Sequence, residues 1–239
     1  MMKSNFLLAI CLMVGLALNA QDKKQVLELS YGDTLTNVVD KSVQYAFDEF
    51  TDGTVLYKDG SRSKAKMNYN YLVGEMQFMD LSSSNKVLSL ANISDVVMVT
   101  ISDEQFIPLG SDLEFMQLIT KGDVRLAAKR KGKARSMGKK GAMGITNPTS
   151  RVVSLTEYAT DNEVRHVEAA EDMKISIDNT YYLYGGEKNG VTQIKGVKAY
   201  LKNYPKDKST LIEQYAKDNK VNFYNEKDLI KLTEYCNKL

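Results

Sequence analysis

Basic side chains form the densest chemical feature of this sequence. Between Val124 and Thr156 there is no Asp or Glu, whereas nine residues are Lys or Arg. The whole chain carries a formal charge of +2 and this stretch carries +9, so the remaining residues carry −7. A local excess of one sign produces a directional field even when the total charge is near zero. The pattern therefore predicts a surface that attracts anions.

The middle of this stretch is predicted to be a basic, glycine-rich loop over residues 129–150. Backbone amides around glycines such as Gly132 can form concave nests that bind anions, and the neighbouring cations add charge. The predicted anion-binding or partner-binding residues are Lys129, Arg130, Lys131, Lys133, Arg135, Lys139 and Lys140. The alternative interpretation of the same loop is a solvated connection without a binding role.

Three anionic partners fit a basic loop of this kind: an acidic protein surface, a lipid phosphate or an acidic glycan. Nucleic acid fits less well, because no aromatic residues alternate with the charges as stacking platforms. The sequence does not specify an oligomeric state. We therefore expect an anionic partner of one of these three classes.

The rest of the sequence contains no catalytic, cofactor-binding or metal-binding motif. The single histidine, His166, excludes sites that need two histidines, such as the H-E-x-x-H hydrolases. The segment from Gly132 to Lys140 differs from a phosphate-binding P-loop in the spacing of its glycines, and Lys140 replaces the hydroxyl that binds magnesium. We predict no cofactor. The alternative function is a carboxylate-dependent hydrolase of an envelope or extracellular polymer that uses Glu75 or Asp80, supported by residue type alone.

Residues 1–20 have the features of a secretory signal peptide. A charged start precedes the apolar residues from Phe6 to Leu18, and Ala20 provides a small residue at the predicted cleavage site. This apolar core is shorter than the roughly 20 residues that a helix needs to cross a bilayer. We therefore predict a periplasmic or extracellular protein that begins at Gln21 and has no transmembrane span after cleavage.

Residues 21–190 are predicted to form an antiparallel β-rich domain, either a barrel-like meander or a sandwich. Asp59-Gly60 separates two alternating runs, which is typical of a β-hairpin. One register uses a two-residue loop and places Leu56 opposite Ser63. The other uses a bulged turn with Gly60 in the left-handed region, which places Val55 on the face of Met67 and buries more apolar surface. We prefer the bulged register.

Three further assignments concern the neighbours of the basic stretch. The capping-box pattern from Ser111 to Glu114 predicts a short helix that ends near Thr120. The run from Val124 to Ala128 predicts a strand that precedes the basic loop. Ile175 and Ile177 are predicted to pair with residues 181–184 across a turn at residues 178–180.

Residues 191–239 are predicted to form a small subdomain of three helices, which makes the protein α+β. Pro205 ends the first helix, and Asn225 is the predicted N-cap of the third. Cys236 follows Leu229 and Leu232 on one apolar stripe of that helix, so we predict a buried rather than a reactive thiol. Two arrangements are open: the helices pack as a separate unit or against the sheet.

Several of these segments resemble a family of uncharacterised secreted proteins of Bacteroidota. The resemblance covers nearly the whole predicted mature chain, although Met143 stands where an aromatic residue is expected. It lies in Phe50, Gly53, Val55 and Lys58-Asp59-Gly60, in Asn68-Tyr69-Asn70, in Glu75-Met76-Gln77-Phe78, in Phe106-Ile107-Pro108, in Gly138–Gly144 and in the last two helices. The resemblance implies a location in the cell envelope. It implies no activity, cofactor or catalytic residue.

Overall fold

The computed structural model describes residues 26–30, 41–82, 86–110, 114–137, 152–153, 172–186 and 190–239. The predicted signal peptide and His166 lie outside these residues. The strands are β1 (Val26–Leu29), β2 (Thr51–Tyr57), β3 (Arg62–Asn70), β4 (Glu75–Asp80), β5 (Lys86–Ser89), β6 (Val96–Ile101), β7 (Glu104–Pro108), β8 (Phe115–Leu118), β9 (Val124–Ser136), β10 (Val152–Val153), β11 (Met173–Gly185) and β12 (Gly190–Gln193). The helices are α1 (Lys41–Gln44), α2 (Val197–Asn203), α3 (Ser209–Asp218) and α4 (Glu226–Cys236), with short 3-10 turns at Ile93–Asp95 and Lys206–Lys208.

The twelve described strands belong to one hydrogen-bonded sheet in which all pairs are antiparallel. The main order is β1-β11-β9-β8-β7-β6-β2-β3-β4-β5, while β10 pairs with β9 and β12 pairs with β11. The α+β class is therefore confirmed. The barrel-like alternative is wrong because the sheet is open, and the strands lie in a single sheet rather than in the two sheets of a sandwich.

The hairpin between β2 and β3 adopts the bulged register. Val55 pairs with Ser63 and Leu56 with Arg62, which rules out the two-residue loop. Gly60 has a φ of +83°, in the region that a side chain disfavours, so the turn depends on glycine here. The register is favoured because it places Val55 in the same buried cluster as Met67 and Tyr69.

The predicted helix before Thr120 is wrong, because Phe115–Leu118 is strand β8. Phe115 and Met116 are almost completely buried, and β8 pairs with β7 on one side and β9 on the other. The tertiary environment therefore overrides the local helix-start signal, as it commonly does for short segments.

The predicted turn at residues 178–180 is also wrong, because Met173–Gly185 forms one continuous strand. Asp178, Asn179 and Thr180 pair with the basic residues Lys131, Arg130 and Lys129 of β9. These polar residues are turn formers in isolation. Opposite a basic strand they provide complementary cross-strand partners, which stabilises the extended conformation.

The C-terminal helices pack against the sheet rather than on each other alone. Their buried residues, including Tyr200, Ile212 and Leu232, share one cluster with Leu126 of β9 and Leu183 of β11. Asn225 caps α4 by accepting a hydrogen bond from the backbone of Asp228, as predicted. The chain before α2 differs from the prediction, since Gly190–Gln193 adds strand β12 to the sheet. No helix within the described residues is long and apolar enough to cross a membrane.

Candidate anion-binding face

The basic stretch is largely a strand rather than a loop. Residues 124–136 form β9, which is paired with β11 along its whole length. The prediction of a loop beginning at Lys129 is therefore wrong for residues 129–136. Lys139, Lys140 and most of the remaining predicted loop lie outside the described residues.

Because strand side chains alternate between two faces, β9 divides its cations into two groups. We call the side packed against the helices the inner face, since Leu126 and Ala128 contact the helical cluster there. Arg130 shares this inner face. The opposite side, the outer face, carries Arg125, Ala127, Lys129, Lys131, Lys133 and Arg135. The structure thus brings four predicted anion-binding residues together and separates Arg130 from them.

On the inner face, Arg130 is part of the structural core. One guanidinium nitrogen, Nη2, donates to Oε2 of Glu226 at 2.7 Å, and the Arg130 side chain is only 17% exposed. The other nitrogen, Nη1, is enclosed and has no hydrogen-bond partner within the described structure. Glu226 begins α4, so this ion pair links the helical layer to the centre of β9. Arg130 is therefore poorly placed to meet a partner in solution.

Tyr181 lies beside this ion pair on the neighbouring strand. It is buried, and its hydroxyl accepts a weak hydrogen bond from Asn179 at 3.4 Å. Burial, together with the nearby negative charge of Glu226, raises the pKa of Tyr181 to about 12. The tyrosine therefore stays neutral at physiological pH and contributes no charge to the inner face.

On the outer face, two lysines share one carboxylate. The amines of Lys129 and Lys131 lie 2.8 Å and 3.1 Å from the two carboxylate oxygens of Glu114, just before β8. Their side chains are 24% and 26% exposed. Partial burial alone would raise the pKa of Glu114, but the hydrogen bonds and charges of the two lysines lower it below its ordinary value. Together, the two lysines and Glu114 keep a net charge of about +1, and their side chains are partly buried.

Exposure increases toward the far end of the outer face. The amine of Lys133 lies 3.5 Å from a carboxylate oxygen of Asp178, and its side chain is 39% exposed. Arg135, two residues further, is exposed. Lys133 and Arg135 are therefore the described cations that are most accessible to a partner.

Gly132 does not form an anion-binding nest. It lies within β9, and its N–H donates to the carbonyl of Tyr71 at 2.7 Å. Through this bond, the turn between β3 and β4 pairs with β9 in the stretch that β8 does not cover. In the same turn, Gly74 packs against the aliphatic part of Lys131, where a side chain would crowd it. Gly132 is thus a paired residue of the strand rather than part of an anion-binding loop.

The two carboxylates of the hydrolase alternative are not brought together. Glu75 and Asp80 occupy opposite ends of β4, about 17 Å apart along a strand, and their positions point to opposite faces. Glu75 accepts a hydrogen bond from the hydroxyl of Ser89 at 2.6 Å, whereas Asp80 accepts one from Ser82. Within the described residues, no group of three or more His, Cys, Asp or Glu side chains could hold a metal ion.

A cavity of about 540 Å³ lies where the ends of β9 and β11 meet the helical layer, and three of its polar side chains, Asn203, Tyr204 and Asn237, form hydrogen bonds within the protein. Tyr204 donates to Asn237, whose amide in turn donates to the carbonyl of Val124. Cys236 also lines this cavity and is buried, as predicted. Burial raises the pKa of its thiol to about 12, so it stays protonated and unreactive at neutral pH.

Sequence reasoning missed the residues that define the outer face. Glu114 was assigned to a helix start, and Asp178 to a turn. The available signal was the period-two spacing of Lys129, Lys131, Lys133 and Arg135, which is the pattern of one strand face.

Comparison with known proteins identifies no relative of this chain. No family model matches the chain, and no match is found among curated proteins or solved structures.

Proposed function

We propose that this chain is a non-enzymatic, secreted or periplasmic protein that binds an anionic partner through the outer face of β9. The observation that carries the proposal is the charge of that face. Five basic side chains alternate along one strand, and only two carboxylates, Glu114 and Asp178, form ion pairs with them in the described structure. The remaining excess of positive charge is available to a ligand.

The geometry favours an extended anion over a compact one. Residues two apart on a strand are separated by about 7 Å, so the row from Arg125 to Arg135 spans about 34 Å. Pairing with β11 holds this row in an extended conformation along its whole length. A fixed linear array of cations matches a chain of repeated negative charges, and it loses less conformational entropy on binding than a loop would.

The secreted location rests on the sequence. The signal-peptide features of residues 1–20 and the resemblance to secreted proteins of Bacteroidota both support a periplasmic or extracellular site. In that compartment the anionic components include acidic glycans, lipid phosphates and acidic protein surfaces. Detection of an intact N-terminus on the exported protein by mass spectrometry would contradict this part of the proposal.

The binding proposal is tested with the double variant Lys133→Gln/Arg135→Gln. Fluorescence anisotropy would measure binding of the mature protein to labelled polyphosphate and labelled polygalacturonate, and flotation would measure binding to phosphatidylglycerol vesicles. Loss of two accessible charges should weaken binding by about fivefold at low salt. Binding of the parent should fall steeply as salt rises, because exposed charges are screened.

The matched control is Lys217→Gln/Lys220→Gln, which removes two exposed lysines from the helical layer. The control has the same net charge as the double variant but an intact outer face. Equal weakening in both variants would mean that net charge alone drives binding and would overturn the proposal. Absence of binding to all three probes at low salt would overturn it as well.

A further inference from the structure

From the side chains of β11, we infer that the anionic partner is an acidic glycan lying along the outer faces of β9 and β11. This inference rests on the proposed function and specifies its ligand. The two strands pair over thirteen residues each, so their outer side chains form two parallel rows. The row on β9 is cationic. The row on β11 is mainly hydroxylated, and two of its members are aromatic.

The register fixes which side chains lie next to each other. Tyr184 lies opposite Arg125, and Tyr182 lies opposite Ala127. Further along, Thr180 lies opposite Lys129 and Ser176 opposite Lys133. A hydroxyl therefore lies beside a basic residue at three positions of this two-stranded β9–β11 ribbon, whereas Asp178 lies opposite Lys131 and Lys174 lies opposite Arg135. A sugar unit that carries both hydroxyls and a carboxylate or sulfate needs this combination of partners.

The tyrosine end of the ribbon offers an apolar platform. Tyr182 and Tyr184 are half-buried and pack against a cluster that contains Ala127. The guanidinium of Arg125 lies 5.7 Å from the centre of the Tyr184 ring and holds it in place. Within the described residues, neither tyrosine hydroxyl has a hydrogen-bond partner. Aromatic rings with a polar tip suit ligands whose surface is partly C–H and partly hydroxyl.

Other polyanions use less of this surface. Polyphosphate has no C–H surface to pack on the tyrosine rings, and an acidic peptide lacks the ring hydroxyls of a sugar that could pair with the hydroxyl row. A membrane presents a broad plane, whereas the side chains of Lys129 and Lys131 are about three-quarters buried and their amines pair with Glu114. A narrow extended chain can contact both the partly buried lysines, Lys129 and Lys131, and the more exposed Lys133. The acidic glycan is the class that uses the full ribbon.

The test compares glycans with polyphosphate in variants of one tyrosine. The Tyr182→Leu variant keeps an apolar side chain against the cluster but removes the ring and the hydroxyl. We expect its affinity for polygalacturonate or chondroitin sulfate to fall about tenfold, while its affinity for polyphosphate stays unchanged. Tyr182→Phe should lie between Tyr182→Leu and the parent. The control Tyr224→Leu removes a tyrosine that is exposed on the helical side, and it should bind all probes as the parent does.

The outcomes separate this inference from the proposed function. Equal affinity of the parent for polyphosphate and for both glycans, with no selective loss in the folded Tyr182→Leu variant, would overturn the glycan assignment and leave the anion site intact. Tighter binding to phosphatidylglycerol vesicles or to polyglutamate than to either glycan would also overturn it. A parent that binds no polyanion would instead remove the proposed function itself. Circular dichroism checks that the variants are folded. If Tyr182→Leu does not fold, Tyr182→Phe, which is the smaller change, takes its place in the test.

Discussion

Arg130 and Lys133 lie three residues apart on one strand, and they differ in almost every respect that matters for binding. Arg130 is 17% exposed, donates at 2.7 Å to Glu226 and connects the sheet to α4. Lys133 is 39% exposed and lies 3.5 Å from Asp178 at the surface. A run of basic residues is therefore not one chemical unit. The alternation of a strand turns it into a structural inner face and an accessible outer face.

This difference changes how the basic stretch should be tested. If these residues formed a flexible loop, neutralising Lys129, Arg130, Lys131 and Lys133 together would leave the fold intact. In the strand, the same change would unpair Glu226 inside the protein and Glu114 near the surface. With the combined variant, a loss of binding could not be distinguished from a loss of folding. The four predictions below separate the two faces, in order of decreasing effect on stability.

The largest effect is expected for Arg130→Met on the inner face. The change leaves the largely buried carboxylate of Glu226 without its partner, which should lower the free energy of unfolding by about 2 to 4 kcal/mol. Urea denaturation followed by circular dichroism measures this value.

The double variant Arg130→Met/Glu226→Gln is the control for that measurement. Removing the orphaned charge should restore at least half of the lost stability, because the main cost is an unpaired buried carboxylate rather than a missing attraction. Arg130→Met with parental stability would show that the inner face does not depend on the ion pair, and the contrast between the two faces would fail.

A smaller effect is expected for Glu114→Gln, which sharpens the contrast within the outer face. Two adjacent lysines lose their shared carboxylate, at a cost of about 1 to 2 kcal/mol near neutral pH. The folded-state pKa of Glu114 lies below its ordinary value of 4.5. The stabilisation is thus present above pH 4.5 and is lost as the pH falls through the lower folded-state pKa.

Unfolding curves of the parent and of Glu114→Gln between pH 7 and pH 3 would measure this dependence. The stability difference between them should shrink toward the acidic end. A difference that stays constant across this range would mean that the lysines do not hold Glu114 in its charged form.

The third prediction concerns Tyr181, which belongs to the inner face. Tyr181→Phe should cost about 1 kcal/mol at neutral pH through loss of a buried hydroxyl contact. The pKa of Tyr181 is raised from 10.0 to about 12 in the folded protein, so the unfolded chain loses its proton first. The stabilisation by the tyrosine is complete below pH 10 and is lost as the pH rises toward 12.

Stability of the parent and of Tyr181→Phe, measured from pH 8 to pH 11.5, tests this sign. The free energy of unfolding of Tyr181→Phe should increase relative to that of the parent as the pH rises above 10, because only the parent loses the stabilisation by the tyrosine. Tyr182→Phe, on the outer face of the same strand, is the matched control. Parallel curves for the parent and Tyr181→Phe would contradict the buried environment of Tyr181.

The smallest effect on stability is expected for Lys133→Gln/Arg135→Gln. Exposed charges contribute little to folding, so the free energy of unfolding should change by less than about 0.5 kcal/mol. Thermal and urea unfolding would both check this. A loss comparable to that of Arg130→Met would mean that the two faces of β9 do not differ in their structural role.

The sequence predicted the features that depend on local pattern. The bulged hairpin at Gly60, the cap at Asn225 and the burial of Cys236 each rest on residues close together in the chain. The basic stretch was recognised from composition, and Lys129, Lys131, Lys133 and Arg135 do lie on one face. The solvent exposure of these side chains could not be predicted from the composition of the stretch.

The failures share a physical cause, which is pairing between segments far apart in sequence. Asp178 to Thr180 look like a turn until they are placed opposite Lys129 to Lys131, about fifty residues away. Phe115–Leu118 looks like the first turn of a helix until β7 and β9 enclose it. The role of Arg130 depends on Glu226, 96 residues further along the chain. Propensity and periodicity contain no information on such partners.

The pairing of β9 with β11 also has a consequence for the order in which the protein folds. From β2 to β8 most paired strands are neighbours in sequence, but β2 and β6 pair across a long segment, with Gly53 opposite Ile101. The pairing of β9 with β11 is also long-range, because it joins Ser136 to Met173 and Val124 to Gly185. Contacts of high sequence separation form slowly because their loop-closure entropy must be offset before they stabilise anything. We therefore expect the hairpins between sequence neighbours to form first, and the outer face to form only once the long-range pairing of β9 with β11 is made.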